Sequence, residues 1–259
     1  MMTSLPLLLH EHQVQQHYPP SFRPTPILEN LFIGREVDLC DGRIVELAAS
    51  SPHGVMAVLN CCAQDDAPFA LWRSFKKGKC RMKDTCTPMT SSSEGVTTPL
   101  DHIVSGCNRD PDFVAWKSIQ TQIEMWIRSG HAPSTHEGGH PSDSVTVLFL
   151  NVPARDDELF PLDLYFPFVS WVVERVWCSG RVVFYCAAGR SRSVSLAMAA
   201  ILAMCSFPSL EEARNAVAVL LRYVQSRRCC ACPNQGFLNQ LLRWAEGRGC
   251  SLSLQIRTF

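Results

Sequence analysis

A chain of 259 residues is long enough for one well-buried domain with an insertion, or for two small ones. Its 24 basic and 24 acidic side chains cancel, which excludes a bulk electrostatic pull toward nucleic acid or a membrane surface and leaves any anion binding to a local site. Hydrophobic content of 46% with 19% charged residues fits a globular chain, and no apolar run reaches the roughly 18 residues that cross a bilayer.

In chain order, residues 1–25 carry His10, His12 and His17 among prolines and glutamines without period, which predicts a flexible arm. Ile27 to Gly34 alternates like a short strand or hairpin. Val37 to Ala49 fits a helix that Gly42 weakens, and Gly54 to Asn60 reads as a buried parallel strand. Beyond Cys61 the pattern breaks down to about Ser144. This stretch holds basic Arg73 to Lys83, low-complexity Thr90 to Thr98, and His131, His136 and His140 among small residues. Within it, Phe113, Trp116, Ile119, Ile123 and Trp126 recur at helical spacing, predicting a helix over Asp112 to Ser129. Such a helix either packs on the main domain between partly disordered loops or docks a substrate or partner.

Val145 to Val152 is the next buried strand, followed by the loop Pro153 to Pro161 with its adjacent Asp156 and Asp157. Pro167 opens a helix to about Cys178, which Gly180 ends. Val182 to Tyr185 is a buried strand, and the segment after Arg192 is apolar on nearly all sides, as a buried helix is. Ser209 and Glu212 form a capping box for a helix to about Gln225, and Asn234 caps a last helix stopped by Gly247.

The strand–loop–helix passage Arg181 to Ala200 carries the chemistry. Cys186 ends the strand and Arg192 opens the helix, with five residues between them. A loop of this kind turns the backbone N–H groups of Ala187, Ala188, Gly189, Arg190, Ser191 and Arg192 into one concavity, where the helix dipole adds positive charge for a phosphate dianion. Arg192 adds a bidentate cation, and the same field pulls the Cys186 thiol toward a nucleophilic thiolate. Gly189 supplies the backbone freedom. Ser193 offers a hydroxyl to the sulfur when it leaves. Asp156 and Asp157, thirty and twenty-nine residues before Cys186, are both candidates for the acid that protonates a leaving oxygen. Arg190 and Arg155 either face an anionic substrate or are ordinary surface cations, Arg155 then pairing with Asp157.

The run C-A-A-G-R-S-R-S resembles the C-x-x-G-x-x-R-[ST] phosphate loop of the protein tyrosine phosphatase superfamily, most of all the dual-specificity phosphatases. The hairpin ILENLFIG, the strand ending in V-L-N, and Leu210-Glu211-Glu212-Ala213 followed by Arg227 or Arg228 and PNQGFLNQL are similar to the same family. Leu150 to Asp156 aligns without a gap with a family strand of the form L-N-I-P-x-x-D, so the resemblance favours Asp156 over Asp157. One departure is Tyr185, where the family places a histidine that organises the loop. The resemblance implies an α/β fold with a mostly parallel central sheet flanked by helices and a long, partly disordered insertion. A catalytic domain is expected over 26–249, interrupted by an insertion at 62–144, with a tail at 250–259.

The implied activity is hydrolysis of phosphotyrosine and phosphoserine or phosphothreonine in proteins through a cysteinyl-phosphate, with Cys186, Arg192, Asp156 and Ser193 catalytic. Two alternatives use the same loop: a phosphate-binding protein without turnover, and a phosphoinositide phosphatase. A sulfurtransferase would leave the upstream aspartate and closing helices without purpose. No cofactor is implied, and the partners are phosphorylated proteins rather than nucleic acid. Thirteen cysteines without a convincing secretory signal predict a reducing, cytoplasmic setting with mostly free thiols, which does not exclude the nucleus. Cys61 with Cys62, and Cys229, Cys230 and Cys232, lack the paired spacing of a zinc site, so no metal is expected.

Overall fold

The computed structural model describes residues 4–11, 24–39, 41–51, 55–62, 70–76, 79–83, 144–178 and 180–255. Among these, seven strands form one sheet in the order β1-β2-β7-β3-β6-β4-β5. They are β1 (Thr25–Leu28), β2 (Leu31–Arg35), β3 (Val55–Asn60), β4 (Ala70–Lys76), β5 (Lys79–Lys83), β6 (Ser144–Asn151) and β7 (Arg181–Cys186). The central strands β2, β7, β3 and β6 are parallel, and the pairings outside them are antiparallel.

Parallel strands buried on both faces need apolar residues at successive positions, and β3 and β7 supply them. Val55, Ala57, Leu59, Val182, Phe184 and Cys186 lie in the main core on one face. Met56, Val58 and Val183 meet Phe32 and Val147 on the other, under Ile44, Leu47 and Ala48 of helix α2 (Asp41–Ala49). The main face is covered by α3 (Phe166–Val176), α4 (Arg192–Ala203), α5 (Leu210–Arg227) and α6 (Gln235–Gln255). Helix α4 is buried at every position from Ser193 to Leu202, the burial its all-round apolar sequence predicts.

The register places Arg35 beside Cys186, and Asn60 beside both Tyr185 and Asn151. The four parallel strands therefore end together, and the loops that follow them gather at one edge of the sheet, where open α/β folds hold their ligands.

Three regions differ from the sequence reading. Within the segment expected as an arm, Leu5–Glu11 forms helix α1, because Leu5 and Leu8 share one helical face and bury it in the main core. Within the expected insertion, β4 and β5 extend the sheet beyond β6; the helix predicted at Asp112 to Ser129 lies outside the described residues. Helix α6 does not stop at Gly247. Arg248 stacks on Trp244 and donates to the Ala203 carbonyl, anchoring the turn beyond the glycine. A glycine ends a helix by adopting positive φ, and among the described glycines Gly189 alone does so.

Two glycines of α6 give opposite expectations. A methyl on Gly236 would overlap the Glu158 carbonyl in the loop after β6, whereas one on Gly247 meets open space. Thermal unfolding should show Gly236→Ala destabilised by about 1–3 kcal/mol through overpacking. Gly247→Ala should gain about 0.5–1 kcal/mol from reduced backbone entropy in the unfolded chain.

Candidate active site

Cys186 sits at the end of β7 with 1% of its surface exposed. Its sulfur lies 3.2 Å from the Ser193 hydroxyl at the start of α4, and the backbone amides of Ser193 and Arg190 also favour its charged form. Burial pushes the thiol up, but these three donors together with the Arg192 charge outweigh it and hold the pKa below the ordinary thiol value. Neighbouring thiols lack that set. Burial drives Cys61 well above the ordinary value and raises Cys62, although the Arg192 charge opposes it at both. Cys205, under α4, is pushed up to about 12 by burial.

The loop between Cys186 and α4 turns on Gly189, whose φ of 61° is the left-handed conformation that favours glycine. Side-chain bulk is excluded there twice over, since a Cβ on Gly189 would overlap both Arg228 Nη2 and the Gly34 carbonyl. Arg190 is exposed, and its carbonyl accepts from the Cys232 N–H at 2.8 Å.

Arg192 reaches back across the site. One terminal nitrogen donates to the Ala154 carbonyl at 3.1 Å, and its Nε stands 3.8 Å from Asp156 Oδ2, too long for a hydrogen bond. That Nε is buried without a hydrogen-bond partner. An unsatisfied charged donor is costly, and an oxyanion in the loop would satisfy it.

The structure separates the two aspartates. Asp156 is drawn onto the loop, its Oδ1 accepting from the Ser191 hydroxyl at 2.7 Å and from Asn234 Nδ2 at 3.2 Å. Asp157 instead accepts the Leu159 N–H at 2.9 Å and closes a local turn. Arg155, which the sequence offered to substrate or to Asp157, lies over the Phe160 ring at 5.7 Å. Tyr185, half-buried, points to the opposite sheet face from Cys186 and packs with the α2 cluster.

Two site residues escaped the sequence reading. Asn234 does cap α6, its Oδ1 accepting the Phe237 N–H at 2.9 Å, but its amide nitrogen simultaneously holds Asp156. Arg228, just past α5, donates to the Gly189 carbonyl at 2.7 Å. The segment from Arg228 to PNQGFLNQL was the available signal, yet nothing local in it names a contact 39 or 78 residues away.

The chain is similar to known proteins. The sequence model described as "Dual specificity phosphatase, catalytic domain" matches residues 117–247, starting inside the stretch expected as an insertion. The mouse protein named dual specificity protein phosphatase 8 is 28% identical over 72% of this chain, and human dual specificity protein phosphatase 13B is 36% identical over 38% of it. The matches span 28% and 46% of those relatives' own lengths. The crystal structure of human DUSP28 is 17% identical, covering 90% of this chain and 98% of that one at a TM-score of 0.44.

The depressed thiol pKa has a direct readout. Site-resolved alkylation across pH should give Cys186 a midpoint below the free-cysteine value of about 8.5. Ser193→Ala should move it upward by removing a donor to the thiolate. A wild-type midpoint at or above the free value contradicts the electrostatic account.

Proposed function

The chain belongs to the dual specificity phosphatase catalytic-domain family, and from that premise we propose that it hydrolyses phosphotyrosine and phosphoserine or phosphothreonine in proteins through a cysteinyl-phosphate. One observation carries the reading: a nearly inaccessible sulfur, Cys186, is held toward its ionised form by a hydroxyl, two amides and a guanidinium. A structural thiol has no need of such an environment, and Cys61 and Cys205 lack it.

The steps follow from the donors. The Cys186 sulfur attacks phosphorus as the bond to the leaving oxygen breaks. Arg192 and the loop amides hold the equatorial oxygens while charge redistributes over them. Asp156 delivers a proton to the leaving oxygen. Its Oδ1 is already occupied by Ser191 and Asn234, so the transferable proton belongs on Oδ2. The resulting carboxylate then takes a proton from water as water attacks the phosphocysteine. The sulfur departs as a thiolate, stabilised by the Ser193 hydroxyl. The catalytic unit in this reading spans 26–249, and its partners are phosphorylated proteins. Tyr185 lies on the other sheet face, and the thiol is held toward its ionised form by Ser193, the two amides and the Arg192 charge.

Turnover of an aryl phosphate tests the proposal. Cys186→Ser should abolish it. Asp156→Asn should lose about 10²–10⁴-fold on an alkyl phosphate such as a phosphoserine peptide; with an aryl ester, whose leaving group needs no proton, release of that group should be spared and the loss should fall on hydrolysis of the phosphocysteine. Equal rates for wild type and Cys186→Ser would remove the enzymatic reading. Phosphate binding without turnover in wild type would replace it with a phosphate-binding protein, and a clear preference for phosphoinositides over phosphopeptides would replace the substrate class.

A further inference from the structure

Arg228 is buried, at 5% exposure, immediately beyond the C-terminus of α5. Among the described residues no carboxylate forms an ion pair with it. Asp38, an acid that feels its charge, is committed to Arg35 at 2.7 Å. A buried guanidinium without a carboxylate is expensive unless its donors are used. Its Nε donates to the Gly189 carbonyl at 2.7 Å and one terminal nitrogen to the Thr25 hydroxyl at 3.0 Å. Thr25 belongs to β1 and is itself buried, so the arginine is fixed at both ends.

The carbonyl it holds shares a peptide with a functional amide. A peptide unit is a rigid plane, so fixing the Gly189 oxygen fixes the direction of the Arg190 N–H at the other end. That N–H belongs to one of the two backbone amides that favour the charged form of Cys186. The constraint is needed because glycine, free at both φ and ψ, would let this peptide rotate. The charge acts in the same sense, since a cation on a carbonyl polarises the amide and strengthens its N–H as a donor.

We propose that Arg228 is a positioning residue for the nucleophile: by holding the carbonyl end of the Gly189–Arg190 peptide, it aims the opposite end at the Cys186 sulfur. It touches neither substrate nor sulfur and acts through one peptide plane. The inference rests on Cys186 being the nucleophile.

The test is site-resolved alkylation of Cys186 across pH in the full chain, with thermal unfolding alongside. Arg228→Ala should raise the midpoint by about one pH unit, a tenfold loss of thiolate at pH values below it. Methylguanidinium added to that variant should bring the midpoint back down. Arg228→Lys keeps a cationic donor near the Gly189 oxygen and folds without a cavity, so it should shift the midpoint by less than Arg228→Ala. The acidic limb of kcat/KM for an aryl phosphate should move with the midpoint in each variant. Lowered melting temperatures with the wild-type midpoint in both variants would overturn the proposal and leave Arg228 a structural tie. Should Arg228→Ala fail to fold, Arg228→Met, which fills the space without a donor or a charge, decides alone: a raised midpoint supports the proposal and an unmoved one overturns it. Failure of the nucleophile reading looks different, because wild-type Cys186 would then alkylate like a free thiol.

Discussion

A sulfur atom removed from water resists ionisation, and at Cys186 that resistance is overcome. The opposing forces are both visible. Burial favours the neutral thiol, as it does at Cys61 and Cys205 in the same core. Among the described cysteines, Cys186 alone has a hydroxyl, two backbone amides and a nearby guanidinium acting on its sulfur. The four parallel strands that end together, the glycine with positive φ and the all-round buried helix α4 serve to place those donors.

The second half of the site comes from the far end of the chain. Asn234 begins α6 and holds Asp156 with the same side chain that caps the helix. Gly236 lets the first turn of α6 press on the backbone at Glu158. The Cys232 amide donates to the Arg190 carbonyl, and Arg228 to the Gly189 carbonyl. The closing segment is therefore a scaffold for two loops. The acid loop is pinned from one side by α6 and from the other by Ser191, and Gln240 of α6 also bonds the Phe160 carbonyl and the Asp163 N–H. A site assembled this way keeps its acid and its nucleophile in register through one rigid contact surface.

Features encoded locally were legible in the sequence. The strand of β7, the tight loop and α4 are written in consecutive residues whose apolar pattern changes period at Cys186. Ser209 makes its half of the expected capping box, accepting the Glu212 N–H. Other features depend on contacts across space. Asp156 and Asp157 are chemically identical neighbours, and in the fold it is Asp156 that meets Ser191 and Asn234. The strands β4 and β5 were hidden because Arg73, Lys76, Lys79, Arg81 and Lys83 interrupt the apolar signal, while pairing to β6 depends on a partner about seventy residues later. Helix α6 runs past Gly247 because an arginine finds an aromatic ring and a carbonyl on other turns. Propensity at the glycine cannot report that anchoring.

The central claim is that the Cys186 sulfur takes a phosphoryl group. Rapid acid quenching of the protein during turnover of an aryl phosphate, followed by mass analysis of the peptide containing Cys186, observes that bond directly. The account predicts one added phosphoryl group on Cys186, formed within a single turnover and accumulating when Asp156→Asn slows its hydrolysis. Turnover that proceeds with Cys186 unmodified at every quench time, in wild type and in Asp156→Asn, would contradict it.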